Sequence, residues 1–474
     1  MKKRPLLYYL ITVFFVLFSS YLFADHANAK TIKVPEDHSL IQKAINASSN
    51  GDIIIVRDGT YYENLDFIGK AITLKSMKSA ENTIIDGKKK GSVVTFRSGE
   101  GRDSVIDGFT LTNGSGNDYR LSGADIAYAY GGGVSCFKAS PTITNCVVSN
   151  NSAVMGGGIG CKKSDALIKN CIIRDNYTQG YGGGIGALYG APAIINCSIV
   201  NNTARFIGGG VYTSTTSPVI IIESCNISNN KVINKESKFV YGSGGGIFSV
   251  HSYVNILNCT ISENEAEKKG GGINASGSIV EIINCTISDN SSPDCELSYS
   301  SSSSFYRRSY PSSLVIINSI IWHSEDKEKK KSIAWYYYDK KDSKEKTYSK
   351  EVAHSGKKPH SEEDPLFEEE TSYSIEDDSI DLQGLMETTD KVEMSVTFSD
   401  IKGGWEGEGN IDTDPKFIGF DNYHLKPDSP CIDIGSFDDA PAEDIDYEPR
   451  PLGKGIDIGS DEVPEKLDEN KGSS

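Results

Sequence analysis

The chain has 474 residues, with 48 Lys and Arg against 65 Asp and Glu and a net charge of −17. So acidic a balance excludes a nucleic-acid binder, which needs a basic surface for phosphate contacts. Gly is abundant, at 47 residues against 16 Pro, which points to many tight turns and excludes a collagen-like chain.

At the N-terminus, Lys2, Lys3 and Arg4 precede an apolar run from Leu6 to Phe23, and Ala27-Asn28-Ala29 has the small-x-small form of a cleavage site. Residues 1–29 therefore read as a signal peptide, with an uncleaved anchor as the alternative. Removing its three bases and one acid takes the charge from −17 to −19. No later segment is apolar enough to span a membrane, so a secreted, periplasmic or bacterial cell-surface location is expected.

The middle of the chain repeats. Gly triplets begin at Gly131, Gly156, Gly182, Gly208, Gly244 and Gly270, mostly 25 or 26 residues apart. Each is followed by a column of cysteines: Cys146, Cys171, Cys197, Cys225, Cys259 and Cys285. Ile stands three residues before each cysteine, Val or Ile two after, and Asn five after. The β-branched runs broken by Gly, Asn and Ser read as three short strands and three turns per repeat. A unit this short buries its apolar face only by stacking on its neighbours, which gives a β-solenoid. The odd offset between the inward Ile and the inward Cys demands a corner. Asn145, Asn170, Asn196, Asn258 and Asn284 occupy it, with Ser224 in one repeat, because Asn tolerates the left-handed conformation. Stacked Asn side chains can hydrogen-bond along such a ladder.

From 131 to 290 these GGG(I/V)…I-x-N-C-x-(I/V)-x-x-N repeats resemble the right-handed parallel β-helix proteins of the pectin lyase-like superfamily. The resemblance implies an all-β fold: a right-handed parallel β-helix, a single-stranded solenoid with an N-terminal helical cap and a C-terminal closing segment. It implies a capping helix over Ser39–Ala47, strands at 52–56 and 71–75, and Gly108 in the cysteine column with Asn113 five residues on. Ser319 fills that column in a degenerate last copy. The expected organisation is signal peptide 1–29, β-helix 30–320, polar low-complexity insert 321–395, closing segment 396–462 and disordered tail 463–474.

The cysteine column reads as buried core. Cys136 and Cys161 are sixth in consecutive repeats and are candidates for a disulfide. The Gly triplets lack the Lys-Ser/Thr of a phosphate loop, and either line a flat groove for a polymer or only serve the turns. Uronide lyases of the superfamily use a cation, usually calcium, and an Arg or Lys base. The resemblance thus makes Arg174, Asp175 and Arg205 catalytic candidates, and Glu263 and Asp289, on adjacent coils, a candidate Ca2+ pair. Tyr128, Tyr130, Tyr181 and Tyr189 are candidates for stacking on sugar rings. Acids in the tail, such as Asp444 and Asp446, lack the spacing of an EF-hand loop. The function expected is a secreted or surface protein that interacts with a polysaccharide or cell-surface glycan, extending to a pectate lyase-like polysaccharide lyase. The alternative is a non-catalytic adhesin or envelope structural protein.

Overall fold

The computed structural model describes residues 29–120, 127–234, 242–300, 312–324, 331–339, 344–348, 393–419 and 421–464. The expected signal peptide up to residue 28 and the tail beyond 464 lie outside the described residues. The chain divides into two units, Met1–Ala204 and Arg205–Ser474.

In the N-terminal unit the helix covers Ile41–Ala47, beginning two residues later than expected. It starts there because the Glu63 carboxylate accepts the Ile41 and Gln42 amides at 2.9 and 3.0 Å. At its other end Lys70 Nζ donates to the Ile45, Asn46 and Ser48 carbonyls. Ile41, Ala44 and Ile45 face the core. One parallel ladder then runs in register through Ile53–Val56, Thr73–Ser76, Val105–Asp107, Thr142–Thr144, Leu167–Lys169 and Ala193–Ile195. A second runs through Val134–Phe137, Ile159–Lys162 and Ile185–Leu188, directly after the Gly triplets. A third runs through Thr110–Thr112, Val147–Ser149, Ile172–Arg174 and Ser198–Val200. Ile143, Ile168, Ile194, Val148, Ile173 and Ile199 are all fully buried between them.

The corner before the cysteine is left-handed: φ is 52° at Asn145, 53° at Asn170 and 51° at Asn196. Their exposed amides are linked, Asn196 to Asn170 at 2.8 Å and Asn170 to Asn145 at 3.3 Å. A second left-handed corner follows the third ladder, at Asn113, Asn150, Asp175 and Asn201. After Asn113 comes Gly114, and after the other three comes a buried Asn. Asn151 Nδ2 donates to Asn176 Oδ1 at 3.1 Å, and Asn176 to Asn202 at 3.0 Å. Each of these oxygens also accepts the backbone amide of the preceding Asn. This inner ladder satisfies the backbone where the strand ends.

Three expectations change here. First, Thr110 pairs with Val147, so Phe109 and not Gly108 stands in the cysteine column. Gly108 has φ 82° and takes the corner position, because the left-handed turn needs it more than the core needs a small residue. Second, a fourth short ladder, Ser152–Met155, Tyr177–Tyr181 and Thr203–Ala204, precedes the Gly turns, so the coil has more than three strands. Third, the Gly triplets leave no flat open face. A Cβ on Gly157 would lie 2.4 Å from the Gly183 carbonyl of the next coil, and one on Gly158 would lie 2.7 Å from the Gly184 carbonyl. The glycines allow close stacking, and the fourth ladder folds over them.

In the C-terminal unit the strand after the Gly triplet and the strand before the cysteine are fused into single long strands, Val211–Glu223 and Ile247–Leu257, paired in parallel. Further coils follow at Ile273–Ser276 with Ile279–Ile283, then Cys295–Ser300 with Ser313–Ile317. After the cysteines a ladder runs through Thr260–Ser262, Thr286–Ser288 and Ile320–Trp322, with Ser319 beside Cys285 as expected. This unit has its own inner Asn ladder, Asn230, Asn264 and Asn290, which ends where the buried Glu296 carboxylate accepts the Asn290 amide at 2.8 Å. Within the stretch expected as a polar insert, Lys331–Asp339 forms a strand on Cys295–Ser300 and a hairpin with Lys344–Tyr348. Glu393–Thr397 then pairs with Ser313–Ile317.

The closing segment lies along the side of the coils, over the corner Asn positions. Asn318 exchanges hydrogen bonds with Ser436, at 2.7 Å each way, and Asn284 Nδ2 donates to the Asp457 carbonyl. Leu425, Cys431, Ile458 and Val463 pack on Ile320.

Candidate functional site

A basic, aromatic recess forms on the N-terminal unit. In the strand Ile159–Lys162, Ile159 and Cys161 point into the core, so Gly160 and Lys162 point outward. Gly160 lacks a side chain, and Tyr130, which ends the strand Ala127–Tyr130 before the neighbouring Gly triplet, folds over this face. Lys162 is left only 5% exposed. Its Nζ donates to Tyr130 Oη at 3.2 Å and sits 4.8 Å from the centre of that ring and 5.9 Å from that of Phe137. Burial lowers the proton affinity of Lys162, and Lys163 and Lys138 lower it further. Among the described residues, the charges acting on this buried ammonium are thus two more cations. Lys138 and Lys163 are exposed and stack at a left-handed corner, with φ 52° and 50°. Tyr189 follows them in the same column, half-buried.

Of the tyrosines singled out by sequence, Tyr130 and Tyr189 therefore border the recess. Tyr181 belongs to the column Tyr130–Met155–Tyr181, two coils on. Tyr128 pairs with Tyr119 in the hairpin Asn117–Arg120 and Ala127–Tyr130. The lysines escaped the sequence reading. The signal was there: Phe137-Lys138 and Lys162-Lys163 end the Gly strands of two consecutive repeats.

The catalytic candidates do not converge. Arg174 Nη1 is 2.5 Å from Asp175 Oδ2, in an exposed pair one residue apart. Asp175, at φ 57°, also lines a shallow polar groove of about 490 Å³ with Lys89, Asn113, Asn150 and Tyr177. It is the only acid in that lining. Arg205 belongs to the other unit, with its guanidinium 5.6 Å from the Phe206 ring.

Glu263 and Asp289 do come together, under Tyr423, whose hydroxyl lies 3.4 Å from each carboxylate. Asp289 also accepts the Ser324 amide and hydroxyl at 2.7 and 2.8 Å. Burial, and next the neighbouring Asp421 carboxyl, raise Glu263 to about 7. Both acids sit at the left-handed corner, with φ 56°. Their Tyr and Ser partners come from segments that sequence did not connect to the coils.

The cysteine column is core. All ten cysteines are free thiols and buried. Cys136 and Cys161 are register partners as expected, yet no bond joins them. Burial first, and then Cys161, push the Cys136 thiol well up.

Residues 107–278 match the family model described as "Right handed beta helix region". No curated protein gives a significant match. Among solved structures, pectate lyase Pel9A aligns over 91% of this chain and 96% of its own, at 12% identity and TM-score 0.48. PfbA, a surface adhesin of Streptococcus pneumoniae, aligns over 68% and 94%, at 13% identity and TM-score 0.29. A pectin methylesterase aligns over 58% and 81%, at 14% identity and TM-score 0.24. Scores this low say nothing of activity. The repeats, the in-register parallel ladders and the family match give this chain the fold of a right-handed parallel β-helix.

Proposed function

We propose that the chain works outside the cell and binds anionic carbohydrate polymers through the Lys162 recess. The observation that carries this is a buried lysine with two exposed lysines at its rim and, among the described residues, no acid among the charges acting on it. An ammonium removed from water is costly unless an anion completes it. A uronate carboxylate supplies that anion, and Tyr130 and Phe137 supply faces for the sugar ring. The polymer must meet the basic recess locally, because the whole chain is acidic.

A second reading, a polysaccharide lyase, is favoured by the lowered proton affinity of Lys162. Neutral Lys162 would take the proton beside the uronate carboxylate, the electron pair would form the new double bond, and the glycosidic oxygen would leave and take a proton from water. Lys138 and Lys163 would offset the developing charge.

The two readings separate in one experiment. Polygalacturonate and neutral dextran are presented to the purified protein, with binding followed on a sensor surface and the unsaturated product followed by absorbance. Binding of polygalacturonate alone, weakened in a Lys138→Glu, Lys163→Glu variant, supports the binding function. Product formation adds the lyase. Equal binding of both polymers, or binding unchanged in the variant, contradicts both.

A further inference from the structure

We infer that the N-terminal unit carries a second carbohydrate site: the shallow groove beside Asn150 and Tyr177 takes a neutral, extended chain of β-linked glucose. The lysine recess lies on the strands after the Gly triplets, so the two sites use different residues and either reading can fail alone. The groove, of about 490 Å³, is lined among others by Lys89, Asn113, Asn150, Ser152, Asp175 and Tyr177. Two columns run through it. One is the left-handed corner after the third ladder, with Asn113, Asn150 and Asp175. The other opens the fourth ladder, where Ser152 pairs with Tyr177 and Tyr177 with Thr203. Neighbouring coils are about 4.8 Å apart, so each column presents a polar group at a fixed step along the solenoid.

The other corner of the coil gives the contrast. Before the cysteine, Asn145, Asn170 and Asn196 have the same left-handed φ, and their amides bond to one another. In the groove that row is broken. Asn113 bonds Asp86 at 3.1 Å, and Asp175 pairs with Arg174. The Asn150 amide, the Ser152 and Tyr177 hydroxyls and the Lys89 ammonium have no hydrogen-bond partner among the described residues. Lys89 and Asp175 cancel in charge, and the rest of the lining is uncharged and polar. A lining without net charge gives no preference for an ionised sugar. Its amides and hydroxyls both donate and accept, as sugar hydroxyls do. Tyr177, 37% exposed, supplies a face for a sugar ring. A straight row of fixed step suits the extended ribbon of β-linked glucose and not the loose coil of dextran.

The test titrates cellohexaose into the purified protein by calorimetry, with dextran and oligogalacturonate for comparison. The expected result is a single class of site for cellohexaose and none for dextran. Binding should be about tenfold weaker in Tyr177→Ala and in Asn150→Gly, and unchanged in the Lys138→Glu, Lys163→Glu variant of the recess. Gly keeps the left-handed turn at position 150 while removing the amide, and Tyr177 is exposed, so neither change disturbs the core. Circular dichroism and thermal melts check that both variants fold. No cellohexaose bound, or equal binding by the native protein and both groove variants, overturns the site. Cellohexaose binding lost in the recess variant assigns it to the lysines instead and also overturns the site. Oligogalacturonate held in the groove as tightly as cellohexaose, with the recess variant as the probe, overturns the neutral class of ligand.

Discussion

Arg450 and Glu462 form an ion pair, 2.6 Å from Nη1 to Oε1, with both side chains wholly removed from solvent. Arg450 Nη2 also donates to the corner amide Asn258 Oδ1 at 3.0 Å and to the Gly459 carbonyl at 3.2 Å. One guanidinium therefore joins the closing segment to the coils. Removing one member strands the other charge in the interior. Arg450→Met should destabilise the protein by about 3–5 kcal/mol, and a paired Arg450→Met, Glu462→Leu change by clearly less. Urea unfolding of the two variants checks this. Equal losses would show that the pair adds nothing beyond its packing.

The inner Asn ladder should outweigh the outer one. Asn264 Nδ2 donates to the Ile227 carbonyl and to Asn290 Oδ1, both at 2.8 Å, in a fully buried position. Asn264→Ala leaves several buried backbone groups unmatched and should cost about 3 kcal/mol or more. Asn196→Ala, at the exposed corner, loses mainly left-handed preference and should cost about 1 kcal/mol. Thermal denaturation of the two variants ranks them.

The thiols should behave as core. Ser319 takes the place of a cysteine and bonds the Ile282 and Ile317 carbonyls, as Cys285 bonds those of Ile256 and Ile283. Cys285→Ser should therefore cost less than Asn264→Ala. All ten thiols should resist alkylation in the native protein and react in denaturant, as mass spectrometry would show.

Acidity should stabilise the C-terminal unit. Burial raises both Asp400 and Asp457 to about 7 from an ordinary value of 3.8. Asp412 and Asp414 add to this at Asp400, which the Cys431 thiol faces at 3.3 Å; Glu462 and Asp433 add to it at Asp457. The folded state thus binds more protons than the unfolded state between these values. Their contribution to stability is full below pH about 4 and is lost as pH rises through about 7. Asp400→Asn should flatten the fall in unfolding midpoint across that window, and a series of melts from pH 4 to 8 measures it.

The coil was legible because its constraints are local. A left-handed corner takes Asn wherever the chain turns, and inward β-branched residues keep the count between corners. Gly108 misled because Gly suits both a left-handed turn and a small core position, and only the pairing of Thr110 with Val147 decides. The recess stayed hidden because a surface-like Lys162 is buried by Tyr130, 32 residues away, and nothing in either repeat alone shows that contact. The closing segment has no period to read, and its contacts, such as Arg450 to Asn258, span 192 residues.

The central claim is that the lysine recess holds an anionic sugar polymer. Titrating oligogalacturonate into protein labelled on lysine side chains, with the Nζ resonances followed by NMR, tests it most directly. The account predicts that Lys162 shifts first and most, that its proton affinity rises as the carboxylate enters, and that Lys138 and Lys163 shift with it. Shifts confined to lysines elsewhere, or a Lys162 resonance that stays still at saturating ligand, would contradict it.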